Sequence, residues 1–307
     1  TFLIQLIWSD RFQNEMKKLS TGSTAKGINQ KTLKRVDVII PRNTKEQQKI
    51  ADCLSSIDDV ITAESHKLTA LKDHKKGLMQ GLFPSVGGVD SAAGRGGCLN
   101  EETTPPLRGT PPKEGNVPRL RFPGFESMGE WEIKPIANLL TIGGGKDYKH
   151  LEKGEIPVYG TGGYMLSVNN YLYDGESVCI GRKGTIDKPM FLNGKFWTVD
   201  TLFFTHSFKK CLPKFIYLCF QNIDWLIYNE ASGVPSLSKV TIGSIELAVP
   251  SLPEQQKIAN CLSSLDELIT AQSQKIEALK LHKKGLMQGL FPSVGGVAGG
   301  TPDGVVA

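Results

Sequence analysis

Residues 46–89 read EQQKIADCLSSIDDVITAESHKLTALKDHKKGLMQGLFPSVGGV, and residues 254–297 repeat them as EQQKIANCLSSLDELITAQSQKIEALKLHKKGLMQGLFPSVGGV. The two copies are offset by 208 positions and are identical at 35 of their 44 aligned positions. Two copies so far apart are too few for a stack of repeats, which needs about three units or more. The repeat therefore predicts a pseudo-symmetric molecule with two related halves.

Each copy of the repeat is predicted to form one long helix. The spacing Asn/Ser-x-x-Glu, at residues 43–46 and 251–254, is that of a capping box at a helix start. A Gly followed three residues later by a Pro, at residues 81–84 and 289–292, is typical of a helix end.

Apolar residues recur in both copies at the a and d positions of a coiled-coil heptad. They are Ile50, Leu54, Ile57, Ile61, Leu68, Leu71, Leu78 and Leu82 in the first copy and Ile258, Leu262, Leu265, Ile269, Ile276, Leu279, Leu286 and Leu290 in the second. Glu64 and Lys75 interrupt the first series, and Gln272 and Lys283 interrupt the second. These polar residues either set the register or mark the ends of the seam. We expect the two copies to pair as an antiparallel coiled coil.

The repeat and the glycine and proline content divide the chain into six segments. We expect a short N-terminal piece over residues 1–42, a first long helix over 43–83, a Gly- and Pro-rich linker over 84–116, a compact segment over 117–250, a second long helix over 251–292 and a flexible tail over 293–307. The short piece resembles the end of the compact segment, since residues 34–41 parallel residues 243–250 and each stretch leads into its long helix.

The compact segment is predicted to be strand-rich, so the fold class of the chain is α+β. Its candidate strands are Trp131–Ile133, Ile156–Tyr159, Ser177–Ile180, Trp197–Phe204 and Ile245–Val249. A candidate helix covers residues 213–222, and glycine-containing loops separate the elements.

Several classes of function are disfavoured by the composition. The charge, +5 from 36 basic and 31 acidic residues, is weak evidence for a polyanionic partner. The six cysteines form no C-x-x-C pair and the five histidines have no metal-ligand spacing, so no metal site and no cofactor are predicted. No common catalytic motif occurs, and no apolar run approaches the ~20 residues of a membrane span. We expect a non-catalytic cytoplasmic protein.

A set of short motifs, in a fixed order, then points to a family. Residues 117–125 read VPRLRFPGF and are followed by GEW at 129–131, YGTG at 159–162, IGRKG at 180–184 and SLS at 236–238. With these motifs and the duplicated helix, the whole chain resembles the specificity subunits of type I restriction-modification systems.

That resemblance implies two target-recognition domains, each reading half of a split DNA site, and helices that set the half-site spacing and dock partner subunits. Residues 117–250 would be the second recognition domain, and residues 1–42 the C-terminal remnant of a first one. The implied partners are double-stranded DNA, DNA methyltransferase (modification) subunits and a restriction motor-nuclease subunit. The methyl donor would bind the methyltransferase. The alternatives are a protein-interaction scaffold with defective DNA recognition, and an enzyme in its own right.

The glycine-containing loops hold the candidate DNA-binding residues. Basic side chains could neutralise phosphates, tyrosines could pack against sugars or bases, and hydroxyls could bind phosphates or base edges. The candidates are Lys146, Tyr148, Lys149, His150, Tyr159, Thr161, Tyr164, Arg182, Lys183 and Ser236. Each lysine could equally be a solvated surface charge, and Tyr159 and Tyr164 could be packing residues. Arg182, which could grip a guanine edge, is the preferred single candidate.

Overall fold

The computed structural model describes residues 1–20, 27–34, 36, 38–84 and 116–291. The linker predicted over 84–116 lies outside these ranges except for its two end residues, and so does the tail predicted over 293–307. The chain divides into two compact units. Unit 1 comprises residues 1–73 with 266–307, and unit 2 comprises residues 74–265.

Helices and strands are both present, and two of the helices are 39 residues long. The helices are α1 (Phe2–Trp8), α2 (Asp10–Leu19), α3 (Gln30–Leu33), α4 (Thr44–Leu82), α5 (Ile136–Leu139), α6 (Pro213–Asn222), α7 (Lys239–Ser244) and α8 (Leu252–Leu290). The strands are β1 (Glu132–Pro135), β2 (Thr141–Gly144), β3 (Lys153–Gly160), β4 (Gly163–Val168), β5 (Tyr173–Asp174), β6 (Ser177–Gly181), β7 (Met190–Leu192), β8 (Lys195–Thr198), β9 (Leu202–His206) and β10 (Glu246–Val249). The predicted α+β class with two long helices is confirmed. Among the described helices, none combines the length and the apolarity that crossing a membrane requires.

Within unit 1 the long helices α4 and α8 pair in opposite directions. The Lys283 ammonium lies 2.7 Å from both carboxylate oxygens of Asp58, whereas Gln272 contacts Glu64. Numbers that rise along one helix thus meet numbers that fall along the other. An apolar cluster closes one end of this pairing. It contains Phe2, Leu6, Ile50, Ala51, Leu54 and Phe291, with Leu286, Met287 and Leu290 packed against it.

Unit 2 contains the repeat-equivalent contacts. Here Ile258, Ala259 and Leu262 of α8 belong to the same buried cluster as Leu82 and Phe83. Leu54 and Leu262, which are equivalent residues of the repeat, are both 0% exposed. The same apolar residues are therefore buried twice, once in each unit.

The polar break at Glu64 lies inside the helix pairing rather than at its end. The Gln272 side-chain amide donates to the Glu64 carboxylate at 2.6 Å and to the Glu64 carbonyl oxygen at 3.0 Å. Lys275 also donates to the Glu64 carboxylate, and the hydrogen bonds from Lys275 and Gln272 lower the pKa of Glu64. Since both breaks in this layer are the partners of each other, the layer defines one register for the two helices.

The strands of unit 2 form two four-stranded sheets and a two-stranded ribbon. The sheets have the strand orders β2-β9-β6-β7 and β4-β3-β8-β5, and the ribbon pairs β1 with β10. Only the pairing of β3 with β8 is parallel among those described for these strands; the others are antiparallel.

One predicted strand, Trp197–Phe204, is wrong as a single element. The structure has β8 and β9 instead, and they belong to different sheets. The chain turns between them, where the Leu202 amide donates to the Val199 carbonyl oxygen at 2.9 Å. Asp200 and Thr201 are the polar interruption in an otherwise apolar and aromatic run, and they mark this turn.

A trio of aromatic rings joins the end of α4 to the core of unit 2. The Phe83 ring lies 5.7 Å from the Phe215 ring of α6 and 6.4 Å from the Trp131 ring, and Trp131 lies 6.2 Å from Phe215. In unit 1 the rings of Phe2 and Phe291 are also 5.7 Å apart. Since Phe291 is the repeat equivalent of Phe83, Phe2 of α1 corresponds to Phe215 of α6.

A buried ion pair fixes the start of α8 in unit 2. The Arg121 guanidinium donates to both oxygens of Glu254, at 2.8 and 2.9 Å, and the two side chains are 8% and 1% exposed. Next to it Gln255, which is fully buried, donates to the Pro250 carbonyl oxygen and accepts from the Leu212 amide. Both polar side chains are therefore satisfied inside the protein.

Glu254→Ala is expected to lower the free energy of unfolding by about 3–5 kcal/mol, because it leaves the Arg121 guanidinium buried and unpaired. Its repeat equivalent, Glu46, is exposed, so Glu46→Ala is expected to cost less than about 1 kcal/mol, mostly through the helix dipole. Urea denaturation followed by circular dichroism measures both values. Equal losses for the two variants would contradict the assignment of the buried pair.

Candidate nucleic-acid interface

Two loops of unit 2 come together next to the end of β6. Lys183 forms an isolated β-bridge with Ser236. The Gly184 amide donates to the Pro235 carbonyl oxygen at 2.8 Å, and the Leu237 amide donates to the Arg182 carbonyl oxygen at 2.9 Å. The predicted motifs IGRKG and SLS, which lie some fifty positions apart in the sequence, are thus neighbours in the fold.

The two loops border an open cavity of about 780 Å³. Its lining residues are Gly144, Arg182, Lys183, Asp200, Thr201, Phe203, Glu230, Ser236, Leu237, Ser238 and Lys239. Three predicted candidates, Arg182, Lys183 and Ser236, therefore share one site. Sequence reasoning missed Lys239, although it directly follows the SLS motif, and it missed Asp200 and Glu230, for which no motif gave a signal.

The cavity carries both signs of charge. Arg182, Lys183 and Lys239 supply three exposed cations, and Asp200 and Glu230 supply two exposed carboxylates. The Arg182 guanidinium lies 3.4 Å from the Asp200 carbonyl oxygen, and the Lys239 ammonium lies 5.9 Å from the centre of the Phe203 ring. The cations thus occur beside acceptor groups rather than as an unbroken basic patch.

The turn that carries Arg182 and Lys183 depends on its two glycines. A Cβ at Gly181 would lie 2.0 Å from the Thr185 carbonyl oxygen, so no other residue fits there without movement of the backbone. Gly184 has a φ of +97°, a conformation that L-residues with side chains rarely adopt. The tight turn leaves Arg182 and Lys183 exposed to solvent.

Asn229 organises the opposite loop. Its side-chain oxygen accepts from the amides of Ala231, at 3.1 Å, and Ser236, at 2.9 Å, and its side-chain nitrogen donates to the Ala231 carbonyl oxygen. The next residue, Glu230, accepts from the Thr241 hydroxyl. The hydrogen bonds from Thr241 and then Ser238 lower the pKa of Glu230, so this carboxylate stays ionised below the usual range of a glutamate.

The loop between β2 and β3 lies outside the lining of the cavity. Its candidates Lys146 and Lys149 are exposed, whereas Tyr148 is half-buried in an apolar cluster with Trp197. The Lys146 backbone is fixed, since its carbonyl oxygen accepts from the Trp197 indole at 2.8 Å. The His150 ring stacks edge-on against Trp197 at 5.8 Å. Tyr148 therefore has a packing role.

The hairpin of β3 and β4 carries three further candidates. The rings of Tyr159 and Tyr164 meet edge-on at 6.3 Å; Tyr159 is half-buried, and Tyr164 is 62% exposed with its hydroxyl 3.1 Å from the Ser167 hydroxyl. The Thr161 hydroxyl lies 3.5 Å from where a Cβ of Gly184 would be, so it approaches the turn after β6. Thr161 is the member of this group nearest to the cavity turns.

No group of three or more His, Cys, Asp or Glu residues that could hold a metal ion is present within the described ranges. The thiols of Cys179 and Cys219 are buried, and burial raises the pKa of Cys179 to about 12 and that of Cys219 further. Neither thiol is therefore activated as a nucleophile. What the site offers chemically is hydrogen bonding and charge.

Comparison with known proteins gives a family model that matches residues 2–73 and 128–281. The model is described as the type I restriction modification DNA specificity domain. Its two matched ranges cover both α4 and most of unit 2, including every residue that lines the cavity.

Curated relatives match parts of the chain. The specificity subunit of the type I restriction enzyme MjaVIII from Methanocaldococcus jannaschii is 32% identical over 124 residues, which is 39% of this chain and 27% of that protein. A putative type I specificity subunit from Mycoplasma pneumoniae is 29% identical over 168 residues, 51% of this chain and 55% of that protein. The chain thus spans between a quarter and just over half of the length of these relatives.

Solved structures share the fold. The crystal structure of a type I restriction-modification S subunit from M. genitalium aligns with a TM-score of 0.63 at 18% identity, over 95% of this chain and 72% of that chain. A chain from a structural study of complex assembly in the type I restriction-modification system aligns with a TM-score of 0.59 at 12% identity, over 94% and 70%. At these identities the likeness shows the fold.

Asn229→Ala is expected to loosen the loop beside the cavity, because two backbone amides lose their acceptor. Hydrogen exchange at the Ala231 and Ser236 amides should become at least about tenfold faster, the equivalent of about 1.4 kcal/mol. Asn222→Ala, at an exposed position at the end of α6, is the matched control and should leave both rates unchanged. Unchanged protection in Asn229→Ala would contradict the role given to this side chain.

Proposed function

The chain belongs to the family defined by the type I restriction modification DNA specificity domain, and we propose that residues 117–250 recognise duplex DNA in a sequence-specific manner. The observation that carries the proposal is the cavity in which Arg182, Lys183 and Lys239 are held beside Asp200 and Glu230. The chain acts as a non-catalytic specificity subunit, and it does so where the cell's DNA is, in the cytoplasm.

The mixture of charges suits base recognition better than simple attraction to a polyanion. Residues 117–250 contain 14 Lys and Arg against 13 Asp and Glu, so their net charge is close to zero. Cations contact phosphates and position the protein, whereas sequence is read by groups that match the base edges. An arginine can donate two hydrogen bonds to a guanine edge, and a carboxylate can accept from the amino group of cytosine.

Each group in the cavity is then given a role. Arg182 reads a guanine, Lys183 and Lys239 bind phosphates, and Glu230, held in its ionised form by Thr241, accepts from a base amino group. Ser236, whose backbone is tied to Lys183 and Asn229, donates to a phosphate or a base edge. Thr161 contacts the same stretch of DNA from the β3–β4 turn. Lys146, Lys149, Tyr159 and Tyr164 form an outer set of contacts.

The proposal extends to the partners. By family resemblance, the subunit directs modification methyltransferase subunits and a restriction motor-nuclease subunit to a split DNA site. The long helices α4 and α8 are the docking elements for the methyltransferase. S-Adenosylmethionine binds the methyltransferase, so this chain holds no cofactor of its own.

The roles of the cavity residues predict two different losses. In the complex with its methyltransferase partner, Arg182→Ala should weaken binding to the target site by about 1–3 kcal/mol, or five- to 150-fold, and relax the preference at one base pair. Lys239→Ala should weaken binding uniformly across sequences and reduce the slope of log K against log salt by about 1. Fluorescence anisotropy with target and shuffled duplexes at several salt concentrations measures both.

Lys214→Ala is the control, because Lys214 lies over the Phe191 ring at 4.5 Å and outside the lining of the cavity. It should leave affinity and salt slope unchanged. If the complex bound target and shuffled duplexes equally, the interaction-scaffold alternative would be favoured. If Arg182→Ala behaved like Lys214→Ala, the reading role of Arg182 would be wrong.

A further inference from the structure

The outward face of α1 in unit 1 is apolar and exposed. Leu3 and Ile4 are 62% and 58% exposed, and Ile7 and Trp8 are 44% and 70% exposed. These four positions recur at the helical spacing of one face, while Phe2, Gln5 and Leu6 form the buried face. A seven-residue helix with four large apolar side chains in water is unusual for a surface that remains uncovered.

The stretch Val38-Ile39-Ile40, which precedes Pro41, is exposed as well. Its side chains are 41%, 50% and 44% exposed, and its residues belong to none of the strands described. The Pro41 carbonyl oxygen accepts from the Gln47 side chain, just as the Pro250 carbonyl oxygen accepts from Gln255. Residues 38–40 are thus the counterpart of Leu247-Ala248-Val249 in β10.

Unit 2 shows what covers each equivalent surface. β1 pairs with β10, Arg121 pairs with Glu254, and the Trp131 ring packs on Phe215 and Phe83. Strands β6 and β7 cover the face of α6 that corresponds to the outward face of α1, so that Ile216 and Phe220 are 0% exposed. One stretch, residues 116–136, supplies the strand, the arginine and the tryptophan.

In unit 1 the matching positions lack these three groups. Glu46 is exposed, the pair of Phe2 and Phe291 has no third ring among the described contacts, and residues 38–40 have no paired strand. The chain's four tryptophans are Trp8, Trp131, Trp197 and Trp225, and the last three are buried in unit 2. The chain therefore has no second tryptophan segment of this kind to place there.

We propose that the outward face of α1, residues 38–40 and Glu46 together form a docking site for the opening segment of a recognition domain carried by a separate polypeptide. The segment has an arginine that pairs with Glu46, a tryptophan that packs on Phe2 and Phe291, and a strand that pairs with residues 38–40. Addition of a strand to an exposed edge is a common mode of peptide recognition. The proposal rests on the proposed function, because the segment belongs to a second DNA-reading domain.

A peptide with the sequence of residues 116–136, labelled at one end and capped, is the probe. We expect it to bind the full chain saturably in fluorescence anisotropy, because the chain's own copy of this segment occupies the equivalent site in unit 2 at high effective concentration. Glu46→Gln in the chain and Arg121→Gln in the peptide should each weaken binding at least about tenfold. Combined, they should weaken it little further, which identifies a direct pair. Glu267→Gln, an exposed glutamate of α8, is the control and should bind as the wild type does.

Absence of saturable binding up to about 1 mM peptide would overturn the proposal, and so would binding that Glu46→Gln leaves unchanged. Light scattering on the chain alone gives a third outcome. If the chain dimerised and Trp8→Glu abolished the dimer, the face would bind a second copy, and the proposal would be wrong. None of these measurements uses DNA, so they separate this proposal from the recognition role of residues 117–250.

Discussion

The pairing of two nearly identical helices in opposite directions is the constraint on which the rest of the structure depends. Their seams share most residues, so apolar packing alone would tolerate several registers. The layer in which Gln272 and Lys275 donate to Glu64 removes this ambiguity, because a shifted register would leave a carboxylate facing apolar side chains. At this layer the repeat differs in charge, Glu64 against Gln272, and the two residues are each other's partners.

The register has a consequence at both helix starts. In unit 1 Leu54 is buried with Phe291, and in unit 2 Leu262 is buried with Phe83. Each half thus rebuilds the same junction of a long-helix start, a long-helix end and a short helix. The halves differ in what lies on the junction. Glu254 is covered by Arg121 and a β-ribbon, whereas Glu46 is exposed. The internal repeat therefore acts as a template that shows which contacts unit 1 has not made.

Sequence patterns predicted the parts of the fold that depend on local order. Capping-box spacing and the terminal glycines located α4 and α8, and periodicity located α6. The patterns failed where tertiary pairing decides the outcome, as between β8 and β9, which a short polar turn separates. Arg182, Lys183 and Ser236 could be picked from motifs, but the cavity that unites them is made by a bridge between distant loops. Lys239 and Glu230 belong to it through that bridge, and no local signal marks them.

The central claim is that this chain determines which DNA sequence its partner methyltransferase modifies. Single-molecule sequencing of methylated bases, in cells with the methyltransferase and with or without this chain, measures this directly. The account predicts a defined methylated motif that is present only with the chain and whose specified bases change in Arg182→Ala. A methylation pattern that is the same with and without the chain would contradict it.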